Sequence, residues 1–261
     1  MSSPRRRVLI TGATGQVGTD LADRLDDDYD VVRHGRTPPD DAPDTPVELA
    51  DIADYDAVRP VLEGIDTVVH LAGAASPESS WDAVLQANII GFRNVIEAAR
   101  EAKVRRFVHA SSNHAMGMYD RHREWPVAAG QLPRADSLYG VSKVFGESMG
   151  RYYHDAYGID FIALRIGWVA PDPMVTDVEL LHAMWLSLDD TEQVVRCAIE
   201  ADVAHGVYYA VSANPNRRWD ITNTMVELGY RPKDAWTDRT TTAETVVPGG
   251  APSPSDWPAG S

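Results

Sequence analysis

Val8-Leu9-Ile10-Thr11-Gly12-Ala13-Thr14-Gly15-Gln16-Val17-Gly18 decides how this chain reads. A short apolar run ends in glycines spaced G-x-x-G-x-x-G. Val17, Leu21 and Leu25 then repeat every four residues, which marks one apolar face of a helix. Glycine permits a tight turn and lets backbone approach a pyrophosphate. A helix N-terminus adds free N–H groups and a positive dipole end. The stretch is therefore expected to be a strand, a phosphate-binding loop and a helix, with Gly12, Gly15, Gln16, Val17 and Gly18 at a dinucleotide.

Downstream, apolar runs alternate with helical patterns, the mark of an α/β chain. Strands are expected from Val31, over Thr67–Leu71, Arg106–Ala110, Phe161–Ile166 and Val207–Val211. One long helix is expected from about Trp81 to Ala102. Another runs from Tyr139 to Tyr157, stopped by Gly158, and a third from about Asp190 to Ala201. Pro171 and Pro173 mark an irregular segment. The expected fold is a Rossmann-type doubly wound parallel sheet with a small C-terminal substrate-binding lobe. Residues 1–239 form one domain, the lobe coming mainly from about 168–190 and 212–239. Residues 240–261, rich in Pro, Gly, Ser and Thr, are expected to be extended or disordered.

Acidic residues number 39 against 24 Lys and Arg, for a net charge of −15, and Lys103, Lys143 and Lys233 are the only lysines. Acidic groups cluster on expected turns, as at Asp26-Asp27-Asp28 and Asp40-Asp41. Such a surface disfavours nucleic acid and resembles that of proteins from salt-loving microbes. No run approaches the roughly 18–20 apolar residues of a membrane helix. The arginine-rich start leads into a strand and not a signal peptide, so the expected location is cytoplasmic. A single cysteine, Cys197, fits a reducing compartment. The eight histidines show no paired metal-site spacing with carboxylates, so no metal is expected.

Tyr139-Gly-Val-Ser-Lys143 places Lys143 one helical turn from Tyr139. There its charge is expected to favour tyrosinate, the basic form. Strand Arg106–Ala110 ends in Ser111-Ser112-Asn113-His114, and ligands sit at the ends of parallel strands. Ser112, favoured over Ser111, is expected to hold the reacting oxygen. After the second strand, Val32-Arg33-His34-Gly35-Arg36 lacks the acid that binds the ribose hydroxyls of NAD. Arg33 and Arg36 can instead pair with a 2′-phosphate. NADP is expected to be preferred, with NAD accepted. Asp51-Ile52 is a candidate adenine contact.

Together these motifs resemble the extended short-chain dehydrogenase/reductases of the NAD-dependent epimerase/dehydratase family, over roughly residues 7 to 235. Further segments resemble uronate dehydrogenases and the related archaeal aldose and sugar-phosphate dehydrogenases: Ser111–Gly117, Ser137–Lys143 with Gly146-Glu147, Arg165-Ile-Gly167, Trp185-Leu-Ser187 with Asp189-Asp190, and Leu228–Asp234. The resemblance implies Ser112, Tyr139 and Lys143 as catalytic residues and oxidation at C1 of a cyclic sugar. It implies coenzyme contacts at Leu71, Ala72, Gly73, Asn88 and Ile166, with Asn88 supporting Lys143 through water. Sugar contacts are implied at Ser76, Ser112, Asn113, His114 and Tyr139. It also implies a homo-oligomer formed through the helices that carry Asn88 and Tyr139.

Two departures narrow the substrate. Uronate dehydrogenases carry a carboxylate-binding Arg before the Trp-x-Ser segment. Here residues 168–184 contain no Arg or Lys, and Asp172, Asp177 and Glu179 stand there instead. The expected substrate is therefore a neutral aldose of the L-arabinose or D-galactose type, with His182 the remaining donor for an anionic alternative. Trp168 either shortens the pocket, which favours a pentose, or fills core. The rival readings are a uronate or sugar-phosphate dehydrogenase, a nucleotide-sugar epimerase or dehydratase, and a non-enzymatic coenzyme sensor.

Overall fold

The computed structural model describes residues 5–39, 42 and 44–239. The expected tail at 240–261 and the Asp40-Asp41 pair lie outside these residues. In chain order the elements are β1 (Arg7–Thr11), α1 (Gln16–Leu25), β2 (Asp30–Gly35), β3 (Glu48–Leu49), α2 (Tyr55–Val58), β4 (Thr67–His70), α3 (Trp81–Val84) and α4 (Phe92–Glu101). There follow β5 (Arg106–Ser112), α5 (Gly117–Arg121), α6 (Leu138–Tyr157), β6 (Asp160–Ile166) and β7 (Trp168–Val169). The last are α7 (Glu179–Met184), β8 (Trp185–Leu186), α8 (Leu188–Glu200), β9 (His205–Ala210) and α9 (Thr222–Glu227).

Seven strands form one sheet in the order β3-β2-β1-β4-β5-β6-β9, every pair parallel. This is the expected Rossmann-type sheet. Its order reverses between β1 and β4, the switch point where such sheets open a ligand crevice. Alternation along β1 explains the two layers. Val8 and Ile10 pack into one core with Leu21 and Leu25 of α1 and Val194 and Ala198 of α8. Leu9 faces the other core, with Phe92 and Val95 of α4 and Tyr153 of α6. All of these side chains are buried, each worth roughly 1.5–3 kcal/mol for the larger aliphatic and aromatic groups.

The structure revises three elements. The long helix from Trp81 is interrupted at Leu85–Gly91 by a wider π-helical segment. The irregular stretch after Pro173 contains α7, and β7 pairs in parallel with β8 as a separate two-stranded ladder, Trp168 opposite Trp185. Residues 212–239 contain α9.

Two of the quoted segments meet here. Ser187 caps α8, its Oγ accepting from Asp190 N at 3.0 Å. The buried Asp190 carboxylate accepts from Ser212 Oγ at 2.7 Å, Lys233 N at 2.9 Å and Asp234 N at 3.1 Å. Burial pushes the Asp190 carboxyl above its ordinary value, against those three donors. Trp185–Asp190 and Leu228–Asp234 thus fasten one part of the chain to another.

Candidate active site

The glycine loop closes as its spacing implies. Gly12 has φ +75°, and a Cβ there would meet Ala72 N at 2.8 Å; one on Gly18 would overlap the Gly12 carbonyl. Gly15 N donates to Gly12 O at 3.0 Å. Gly15 begins α1 with no side-chain cap and no acid in the first turn. The N–H groups at Gln16 and Val17 therefore face outward for an anion. Thr11 Oγ1 accepts from Ala72 N at 3.3 Å and bonds His70 Nδ1 at 2.8 Å. That contact joins the loop to Leu71-Ala72-Gly73 beyond β4. A glycine-rich turn at an uncapped helix start fits a dinucleotide pyrophosphate.

The π segment carries Asn88 to the same end of the sheet, as such segments commonly do at functional sites. Asn88 Nδ2 donates to Ser142 Oγ at 2.8 Å and Ala74 O at 3.0 Å, and its Oδ1 accepts from Ala74 N at 2.7 Å. It therefore braces the residue before Lys143. Gly73 leaves the space between Asn88 and Lys143 open.

β5 and α6 bring the reacting groups together. Ser137 caps α6 through Gly140 N at 3.0 Å, which sets Tyr139 and Lys143 in the first turns. Ser112 Oγ accepts from His114 N at 3.2 Å and donates to Asn113 Oδ1 at 3.3 Å, and its hydroxyl favours the ionised form of Tyr139. Lys143 Nζ donates to Ala110 O at 2.7 Å and lies 5.4 Å from the Tyr139 ring centre. Burial lowers the Lys143 ammonium to about 8, opposed by the Glu147 carboxylate. Burial also pushes the Tyr139 hydroxyl up; the Ser112 hydroxyl opposes that rise and the Asp136 charge adds to it. The ammonium is turned to the Ala110 carbonyl, and desolvation of the phenolate wins.

The two serines separate cleanly. Ser111 Oγ donates to Glu147 Oε1 at 2.6 Å, and Arg165 holds that carboxylate with two bonds, Nε at 2.8 Å and Nη2 at 2.7 Å. Ser111 thus belongs to a buried ion pair that ties β5, β6 and α6, and Ser112 alone faces Tyr139.

The other expected contacts scatter. Asn113 Nδ2 bonds Met184 Sδ at 3.0 Å, and His114 Nδ1 lies 2.9 Å from Asp136 Oδ2. Ile166 ends β6, and half-buried Trp168 packs on the core beside it. Ser76 lies on the loop beyond Gly73 and bonds Glu78. Ile52 is buried against Gly91, whereas Asp51 is exposed and accepts from Ala53 N at 2.9 Å.

Arg33 does not join the site. It lies on the strand face that meets α1, paired with Asp23 at 3.0 Å and Asp26 at 3.5 Å. Arg36, exposed just past β2, has no ion pair among the described residues. His182 is also spent elsewhere: Nε2 lies 3.1 Å from Pro173 O, and the ring stacks on Trp236 at 4.4 Å. Asp136, Glu147 and Asp190 went unrecognised as partners in the sequence. The serine cap before Tyr139 was a usable signal for the helix start, but nothing local marks the carboxylate before it.

Residues 8–171 match the NAD dependent epimerase/dehydratase family. The chain belongs to that family. Two similar proteins come from Haloferax volcanii. An NAD-dependent glucose-6-phosphate dehydrogenase is 39% identical over 87% of this chain and 93% of its own. An L-arabinose 1-dehydrogenase (NAD(P)(+)) is 39% identical over 87% of this chain and 96% of its own. A solved mutated uronate dehydrogenase superimposes with a TM-score of 0.82 at 35% identity, covering 90% of this chain and 84% of that one. Membership and these relatives make the chain an NAD(P)-dependent oxidoreductase. No helix among its described residues is long and apolar enough to cross a membrane.

Proposed function

We propose that this chain is a sugar dehydrogenase that oxidises C1 of an uncharged aldose to the aldonolactone. L-Arabinose and D-galactose represent the class, with the pentose favoured by Trp168 beside Ile166. The substrate pocket is read as bounded by the 168–190 and 212–239 stretches. The relatives named as sugar dehydrogenases support the reaction class. One observation carries the choice of a neutral sugar: the segment that would hold an anionic group offers no free cation. Residues 168–184 lack Arg and Lys, and His182 is engaged by Pro173 and Trp236. Arg218, which reaches this segment from outside it, is held by Asp120 at 2.6 Å and Glu179 at 3.1 Å.

In this reading Tyr139 Oη takes the proton of the anomeric hydroxyl. Ser112 orients that oxygen, and Lys143, once the two are brought together, stabilises the Tyr139 phenolate that accepts the proton and becomes the phenol. Asn88 and Ala110 O hold α6 and the ammonium in place. A bound nicotinamide coenzyme supplies the hydride acceptor, so that C1 becomes the lactone carbonyl. Arg36 favours NADP through a 2′-phosphate, without Arg33. The Haloferax relatives and the net charge of −15 support work at high salt. The apolar exposure of Leu138, Val141, Tyr152 and Tyr157 on α6 supports a homo-oligomer.

The test is a panel of L-arabinose, D-galactose, D-glucose, glucose 6-phosphate and D-glucuronate, each with NADP and with NAD, followed by absorbance of the reduced coenzyme. Neutral aldoses with NADP are expected to give the highest kcat/KM. A preference for glucose 6-phosphate or glucuronate overturns the substrate assignment, and a strong NAD preference overturns the role of Arg36.

A further inference from the structure

Gly35 ends β2 with no room for a side chain. A Cβ there would meet Thr14, at 2.6 Å from Oγ1, 2.8 Å from Cγ2 and 3.2 Å from Cβ. The backbone does not demand glycine at this position, since the positive-φ glycines are Gly12, Gly64, Gly158 and Gly229. The demand comes from the neighbour, and neither side can withdraw. Ala13 N donates to His34 O at 2.9 Å, which fastens the glycine loop to β2, and Ala50 N donates to Gly35 O at 3.1 Å from the other flank. Thr19 Oγ1 donates to Ala13 O at 3.1 Å and fixes the loop from α1. Rotation of Thr14 does not clear the space either. Its Cβ distributes two heavy atoms over three staggered positions, and both of the positions now filled face Gly35. At least one of them stays filled in every rotamer.

Strand alternation turns residue 35 to the same face as Arg33, toward α1. As the last residue of β2 it stands beside the glycine loop. An acid at the end of this strand binds the ribose hydroxyls of NAD, and the same charge repels a 2′-phosphate. We infer that Thr14 is a specificity-determining residue for the coenzyme: its branched side chain stands where that acid would have to stand, and so keeps a carboxylate away from the adenosine ribose. The branching at Cβ does this, not the hydroxyl. The inference extends the NADP reading, in which Arg36 attracts the 2′-phosphate, by naming what keeps the opposing charge out.

The experiment is a double-mutant cycle on the full chain, reading Kd for NAD and for NADP by calorimetric titration without sugar. Gly35→Asp is introduced into wild type, into Thr14→Ser and into Thr14→Val. With Thr14 in place, Gly35→Asp is expected to weaken both coenzymes roughly tenfold or more, because the new Cβ displaces the loop. Thr14→Ser leaves a single Oγ that can turn to the third position, so only the contact at 3.2 Å has to give. In that background Gly35→Asp should tighten NAD roughly tenfold relative to Thr14→Ser alone, through a bond from the ribose to the charged carboxylate, and should weaken NADP. Thr14→Val keeps both branches and should give no rescue. Tighter NAD binding by Gly35→Asp with Thr14 in place, rescue by Thr14→Val equal to that by Thr14→Ser, or equal effects of Gly35→Asp in all three backgrounds overturns the inference. Gly35→Ala gives the same test where Gly35→Asp does not fold. It adds the Cβ alone and should weaken both coenzymes roughly tenfold, with the loss recovered in the Thr14→Ser background; wild-type affinity in Gly35→Ala overturns the inference. Failure of the NADP reading would show separately, as wild type binding NAD more tightly than NADP, and would remove the role of Arg36 and not the coupling between positions 14 and 35.

Discussion

Lys143 holds an ammonium where burial opposes charge. Its value falls from an ordinary 10.5 to about 8, which makes the charged form a cost on the order of 3 kcal/mol to the folded chain at neutral pH. Because the folded value lies below the unfolded one, the unfolded chain binds the extra proton between about 8 and 10.5. This group's cost is therefore full below about 8 and fades as pH rises toward 10.5. Lys143→Met loses the bond to Ala110 O, worth about 1 kcal/mol, and is still expected to melt higher than wild type at pH 7 without coenzyme. The gap should close at alkaline pH, and turnover should fall by orders of magnitude. A lower melting temperature at pH 7 would contradict this account of the site. Tyr139, Lys143 and the glycines were readable because their spacing within one helix or loop carries the chemistry. Asp136, Glu147 and Asp190 were not. Each acts on a partner 18 to 44 residues away in the chain, and no local pattern records that.

At the scale of elements, short apolar runs and apolar repeats at helical spacing located the strands and helices that build both cores. The misread elements are those whose sequence carries a competing signal. Pro171 and Pro173 hid α7, which is only six residues long. The helical repeat from Trp81 continues through the π segment, because one extra residue in a turn barely disturbs an apolar stripe. That turn nevertheless decides where Asn88 points, so it matters more for the site than for the core. Arg33 was misplaced for a related reason. Strand alternation puts it opposite Ile10, on the face of α1, and the C-terminal end of the sheet is reached only at Arg36.

Over the whole molecule, the excess of acid is distributed so that arginines are shared. Arg24 bonds Asp20, Asp189 and Glu192, and Arg196 bonds Asp28 and Glu192, joining α1 to α8. Exposed pairs of this kind contribute little each, whereas a net charge of −15 repels itself throughout. Screening should therefore help more than it harms. The melting temperature is expected to rise between 0.1 M and 2 M KCl, and a fall would show that the surface pairs dominate.

The phosphate cradle, Asn88, Ser112, Tyr139 and Lys143 gather beyond the C-terminal ends of β1, β4 and β5, consistent with removal of a proton and a hydride from a single carbon. The most direct measurement supplies L-arabinose deuterated at C1, with D-galactose labelled likewise, and analyses coenzyme and sugar products by mass spectrometry. The account predicts one deuterium in the reduced coenzyme and an aldonolactone without it. Reduced coenzyme lacking deuterium, or labelled sugar returned with no coenzyme reduced, would contradict it.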